Sequence, residues 1–222
     1  MFDKRIILIA GHYGSGKTSV ALSCAAAINK SGCKTALADL DIVNPYFRAK
    51  DDAEILQNEG VDFIASDFAN SNVDLPALPQ QLYSIIDNKE RRVVVDVGGD
   101  DRGALALGRL VPAIKSENDY EMLLVINKYR PLTDTVQNVM EIKQEIDAAC
   151  KIGFTGIINN SNLGVQTTAQ DVKNSLQYAD DCSKACGLPI VATTVASPVF
   201  EQLQDKIENL FELTLLLRNK YI

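Results

Sequence analysis

The octapeptide Gly11-His12-Tyr13-Gly14-Ser15-Gly16-Lys17-Thr18, set directly behind the apolar run Arg5 to Ala10 (RIILIA), constrains this chain more than any other feature. It matches the phosphate-loop pattern G-x-x-x-x-G-K-[ST] in full, between a run that reads as a strand buried on both faces and an Ala-rich helical stretch, Lys17 to Lys30. The chemistry requires that setting. Glycines let the backbone turn its N–H groups inward around phosphate oxygens, and the following helix presents its positive end to them. Gly11, His12, Tyr13, Gly14, Ser15, Gly16, Lys17 and Thr18 are therefore the expected nucleotide-binding residues. Lys17 is expected to reach the β and γ phosphates as a catalytic group, and the Thr18 hydroxyl to ligate Mg²⁺.

Further solid apolar runs follow at Lys34 to Asp39, Val61 to Ala65, Arg92 to Val97, Glu121 to Asn127, Phe154 to Asn159 and Pro189 to Thr194. Helical patterns separate them, clearest at Leu132 to Cys150, Ala169 to Cys186 and Val199 to Arg218. Residues Leu40 to Ala53 read as a loop running into a short helix. The expected fold class is α/β: a mostly parallel central sheet of about seven strands with helices on both faces. No linker interrupts the alternation, so residues 1–222 are read as one domain.

Composition removes several alternatives. The chain holds one histidine, His12, which excludes His-rich zinc sites and HExxH proteases. Twenty-two Lys and Arg against 29 Asp and Glu give a formal charge of −7, so neither nucleic acid nor an anionic membrane is an expected partner. No apolar stretch is long enough to span a bilayer. Five cysteines at no disulfide-framework spacing, with no secretory leader read at the start, point to a reducing cytoplasm.

A phosphate loop needs an acid at the end of a neighbouring buried strand to hold magnesium. Asp96, closing RVVVD, fits that role, and Gly98-Gly99 behind it suit a loop near the γ-phosphate. Asp39 and Asp41 end the second strand. Alternation sends both side chains to one side, where one can support Mg²⁺ and the other orient the attacking water.

In motif order these residues resemble the MinD/ParA/CobQ-type nucleotide-binding proteins, the SIMIBI branch of P-loop NTPases. The resemblance covers essentially the whole chain and rests on Gly11 to Thr18, Asp39-Leu40-Asp41 and Asp96-Val97-Gly98-Gly99. It implies Mg²⁺ and ATP as cofactors, Asp39 as the magnesium-side acid and Asp41 as the catalytic residue that positions water. It also implies an adenine contact from Asn160, with Asn159 the neighbouring candidate because strand phase is open by one residue. His12 occupies the position where the family's deviant motif carries a signature lysine. The function implied is a slow ATPase that exchanges ATP for ADP and switches a protein partner, with a nucleotide-dependent homodimer and enzyme maturation or metal loading among its forms. The alternatives are an ATP-dependent small-molecule ligase or amidase of the cobyrinate or dethiobiotin synthetase type, and a module that holds ATP without hydrolysing it.

Weaker signals read as structural. Cys182 and Cys186 stand one helical turn apart and read as packed helix thiols. Asn127-Lys128-Tyr129-Arg130 breaks the guanine-reading pattern N-K-x-D at its acid. Phe200, Leu203, Ile207, Leu210, Phe211 and Thr214 recur at helical spacing, with acidic residues opposite, and predict a helix packed on the sheet.

Overall fold

The computed structural model describes residues 1–40, 50–65, 80–98 and 101–214. Eight strands form one sheet: β1 (Ile6–Ala10), β2 (Thr35–Asp39), β3 (Asp62–Ala65), β4 (Arg92–Asp96), β5 (Tyr120–Ile126), β6 (Gly156–Asn159), β7 (Ile190–Ala196) and β8 (Leu210–Leu213). Their order is β3-β2-β4-β1-β5-β6-β7-β8, and every pairing is parallel. The helices are α1 (Lys17–Lys30), α2 (Lys50–Asn58), α3 (Gln80–Asp87), α4 (Asp101–Gly108), α5 (Val111–Glu117), α6 (Val136–Cys150), α7 (Ala169–Cys186) and α8 (Ser197–Leu203).

A parallel sheet needs cover on both faces, because each crossover helix must bury its own apolar stripe. The period-two alternation of β1 divides that burial. Ile7 and Ile9 pack with Val20, Ala21, Cys24 and Ala25 of α1 and Leu56 of α2. Ile6, Leu8 and Ala10 belong to the opposite core, with Leu107, Ile114, Ile142, Tyr178 and Cys182. Ile6 through Ile9 are wholly buried, each worth about 2 kcal/mol of apolar transfer. This strand therefore holds the base of the phosphate loop rigid.

The sheet has eight strands where about seven were expected. The additional one is β8, inside the stretch predicted as a helix from Val199 to Arg218. The helix ends at Leu203, and Asn209 adopts a left-handed φ of 56°, which no helix continues through. Leu210 to Leu213 then pair in register with Thr193 to Ala196, and Phe211 meets Phe2 edge-on, with ring centroids 5.1 Å apart. Residues 215–218, the end of the predicted helix, lie outside the described residues.

The α7 boundaries agree with the sequence reading. Thr168 and Asp171 form a reciprocal capping box at its start, and Gly187 closes it at φ 66°. By contrast, α6 begins at Val136, not Leu132. Thr135 caps it, and Asn127 to Asp134 form a loop instead. Within α7, Cys182 is buried in the core and Cys186 packs against it. Among the described residues no helix is long and apolar enough to cross a membrane.

Candidate nucleotide-binding site

All parallel strands release their chains at one edge, and the phosphate loop sits there between β1 and α1. Gly14 and Gly16 take φ values of 81° and 87°, a left-handed backbone that glycine adopts without steric cost. The Ser15 N–H donates to the His12 carbonyl at 3.1 Å and closes the turn. Gly16 is the N-cap of α1 and supplies no side chain to its first-turn N–H groups, which leaves them to an anion. Lys17 is buried, Thr18 is half-buried and Tyr13 is exposed. The Ser15 hydroxyl is buried and has no hydrogen-bond partner among the described residues, as a cradle shaped for phosphate oxygens requires.

His12 turns its Nδ1 to the carbonyl of Tyr13 at 3.1 Å. A carbonyl only accepts, so Nδ1 carries the hydrogen, and in a neutral ring Nε2 is left as an acceptor.

Asp39 and Asp96 are register partners across β2 and β4, and Asp96 is in turn the partner of Ile9 on β1. Both carboxylates are buried. Together with Thr18 they line one small, partly open cavity, whose remaining walls are Ala21, Leu22, Leu37 and Phe63. The structure thus brings together the three residues expected to hold metal. Two carboxylates and a hydroxyl are hard oxygen donors, fewer than a complete protein cage, which suits Mg²⁺ shared with phosphate oxygens and water. Asp41 and Gly99 lie outside the described residues.

The two asparagines after β6 part company. Asn159 faces α7: its amide donates to the Ser175 hydroxyl at 2.9 Å and accepts from Ser161 at 2.6 Å. Asn160 faces the phosphate loop. Its Nδ2 donates to the Ser15 carbonyl at 2.7 Å, and its Oδ1 accepts from the Thr194 hydroxyl at 2.6 Å. Thr194 carries no signal in the sequence, since its partner lies 34 positions away, just past the end of β6.

The loop after β5 is also tied down. Asn127 accepts from the backbone N–H groups of Tyr129 and Asn162, Lys128 donates to the Asn174 carbonyl at 2.7 Å, and the Tyr129 hydroxyl donates to the Asp171 carbonyl at 2.8 Å. The Asp171 carboxylate accepts from Thr168 side chain and backbone, which holds it below the usual carboxylate range.

A family model described as the CobQ/CobB/MinD/ParA nucleotide binding domain matches residues 6–172. The chain belongs to that family. The match for this CobQ/CobB/MinD/ParA-type domain runs from β1 into α7, so β7 and β8 complete the sheet beyond it. Among solved structures, the cell division protein FtsY of Thermotoga maritima is 21% identical with a TM-score of 0.58, covering 87% of this chain and 62% of that one. Chloroplast FtsY of Physcomitrella patens is 19% identical with a TM-score of 0.57, covering 86% and 58%. FlhF complexed with GTP and Mg²⁺ is 13% identical with a TM-score of 0.53, covering 86% and 66%. These likenesses show the fold, an α/β P-loop NTPase sheet, and this chain spans about three-fifths of the length of the proteins compared. No curated protein matches the chain by sequence.

Proposed function

We propose that this domain binds Mg-ATP, hydrolyses it slowly and uses the exchange of ATP for ADP to switch a protein partner. The observation that carries the reading is the phosphate loop wound at Gly14 and Gly16 beside a cavity lined by Thr18, Asp39 and Asp96. The inward N–H groups and the Lys17 ammonium bind and orient the β and γ phosphates. Thr18, Asp39 and Asp96 would hold Mg²⁺, which would supply neutralisation of the phosphate charge. Asp41 is assigned to orient the attacking water. Burial of Lys17, Asp39 and Asp96 keeps this charge in a low-dielectric edge, where it acts more strongly than in water.

Adenine is favoured over guanine by the loop after β5. Guanine offers two adjacent donors that call for a carboxylate, and Asn127 to Arg130 contains none. FlhF, solved with GTP and Mg²⁺, makes guanine the competing base to test. A protein partner, or a second copy of this chain, is supported by exposed apolar side chains on three loops of this edge: Tyr13, Leu132, Leu163 and Val165, the last 92% exposed. His12, turned toward the carbonyl of Tyr13, favours a second reading: a module that holds ATP without turning it over.

Calorimetry with Mg-ATP and Mg-GTP, paired with phosphate release by the wild type and Lys17→Ala, tests these assignments. The expected result is heat with ATP, weaker heat with GTP, and slow release that Lys17→Ala abolishes. Binding without release above that control selects the second reading, tighter GTP binding overturns the base assignment, and no heat with either overturns the function. Protease digestion that is the same with ADP and with a non-hydrolysable ATP analogue would overturn the switch.

A further inference from the structure

We infer that Asn160 and Thr194 form a positioning strut that sets the shape of the phosphate loop from beneath. In strand order β1-β5-β6-β7, the loop leaves β1 while Asn160 follows β6, so the contact passes over the end of β5. Thr194 of β7 donates to Asn160 Oδ1 at 2.6 Å, and Asn160 Nδ2 donates to the Ser15 carbonyl at 2.7 Å. The Asn160 backbone is itself fixed, its N–H donating to the Ile126 carbonyl at 2.9 Å and its carbonyl accepting from Asn162 at 2.8 Å. Asn160 and Thr194 are each 1% exposed. The Ser15 carbonyl only accepts, so Nδ2, not Oδ1, must meet it, and Oδ1 is left to accept from the Thr194 hydroxyl.

That carbonyl belongs to the peptide joining Ser15 to Gly16. Holding its oxygen down turns the N–H of the same peptide, that of Gly16, to the opposite side, toward the phosphate position. A Cβ on Gly16 would collide with Asn160 Nδ2. The glycine therefore serves two needs at once, the left-handed backbone and the close approach of the strut. Asn160 acts on the phosphates through the loop, independently of which base is bound.

The phosphate consequence rests on the nucleotide-binding reading above, whereas the shape of the loop does not, and two measurements separate them. In nucleotide-free protein, hydrogen exchange of a peptide covering Gly11 to Thr18 is expected to quicken about tenfold in Asn160→Ala and in Thr194→Val, with Thr194→Ser close to wild type. In the presence of Mg²⁺, Asn160→Ala is expected to weaken ATP and inorganic tripolyphosphate by the same factor, roughly five- to tenfold. Unchanged exchange in both variants overturns the strut. A loss confined to ATP, with tripolyphosphate unaffected, overturns it in favour of a base contact. Should the wild type bind neither ligand, the nucleotide reading fails, and the exchange rates still decide the strut. If Asn160→Ala does not fold, Thr194→Val carries both measurements.

Discussion

Gly11 sits against Val125: a Cβ built on Gly11 would come within 2.7 Å of the Val125 carbonyl oxygen on β5. The constraint is steric, since that oxygen belongs to a paired strand that cannot retreat. Gly11→Ala is expected to cost about 1–3 kcal/mol of stability and to weaken Mg-ATP binding. Urea unfolding tests the first part, and a midpoint equal to wild type would show that the loop has slack over β5.

Lys17 carries the ammonium group of the loop and is buried. Lys17→Ala is expected to reduce Mg-ATP affinity by at least about tenfold, the scale of a charge-assisted phosphate contact. Titration calorimetry at fixed salt reads this directly. Retained affinity would place the phosphates elsewhere.

Asp39 and Asp96, partnered in register, line a single cavity with Thr18. Replacing either by asparagine is expected to shrink the gain in ATP affinity that wild type shows with Mg²⁺ over EDTA. Equal gains in wild type and variants would remove these carboxylates from the metal assignment.

At the opposite edge of the sheet, Arg5 pairs with Glu117 and also donates to the carbonyls of Ile86, Asn88 and Arg91. The Arg5 hydrogen bond holds the Glu117 carboxyl below its ordinary value, with Lys89 adding to it. A depressed acid stabilises the fold when ionised. The contribution is complete above about pH 4.5, where the unfolded chain also ionises, and disappears as the pH falls through the lower folded value. Glu117→Gln is expected to lose about 1–3 kcal/mol at pH 7. Its deficit against wild type should narrow in unfolding curves taken below pH 4.5. A constant deficit would mean that the charge contributes nothing.

Burial separates the thiols. It raises Cys24 well above the ordinary thiol range, Cys150 to about 12 and Cys182 to about 11. Cys33 and Cys186 are only partly buried. An aromatic disulfide reagent at pH 8 is expected to label these two first, with Cys24, Cys150 and Cys182 reacting on unfolding. Rapid reaction of all five in native protein would contradict the packing.

The elements legible in the sequence were those whose causes are local. Ile6 to Ala10 and Val93 to Val95 are apolar without a break because both faces are covered, and they read as strands for that reason. The phosphate loop was legible because its glycines, lysine and threonine fall within eight consecutive positions. What escaped depends on distant partners. Leu210, Phe211 and Leu213 form a strand because β7 offers an edge and Phe2 offers an aromatic ring, though the spacing of Leu203, Ile207 and Leu210 fits a helix equally well. The phase of β6 was open by one residue. Only the contact of Asn160 with Ser15, 145 positions apart, fixes which asparagine faces the loop.

The central place of β1 also governs the order of events at the ribosome. Ile6 has Val93 on one side and Tyr120 on the other, so this strand emerges long before either neighbour is translated. Loop-closure entropy must be met before such distant pairings reward it. A nascent chain arrested before β4 would expose the apolar faces of β1 to chaperones and would have no formed pocket to load, making ligand capture a late step in this protein's maturation.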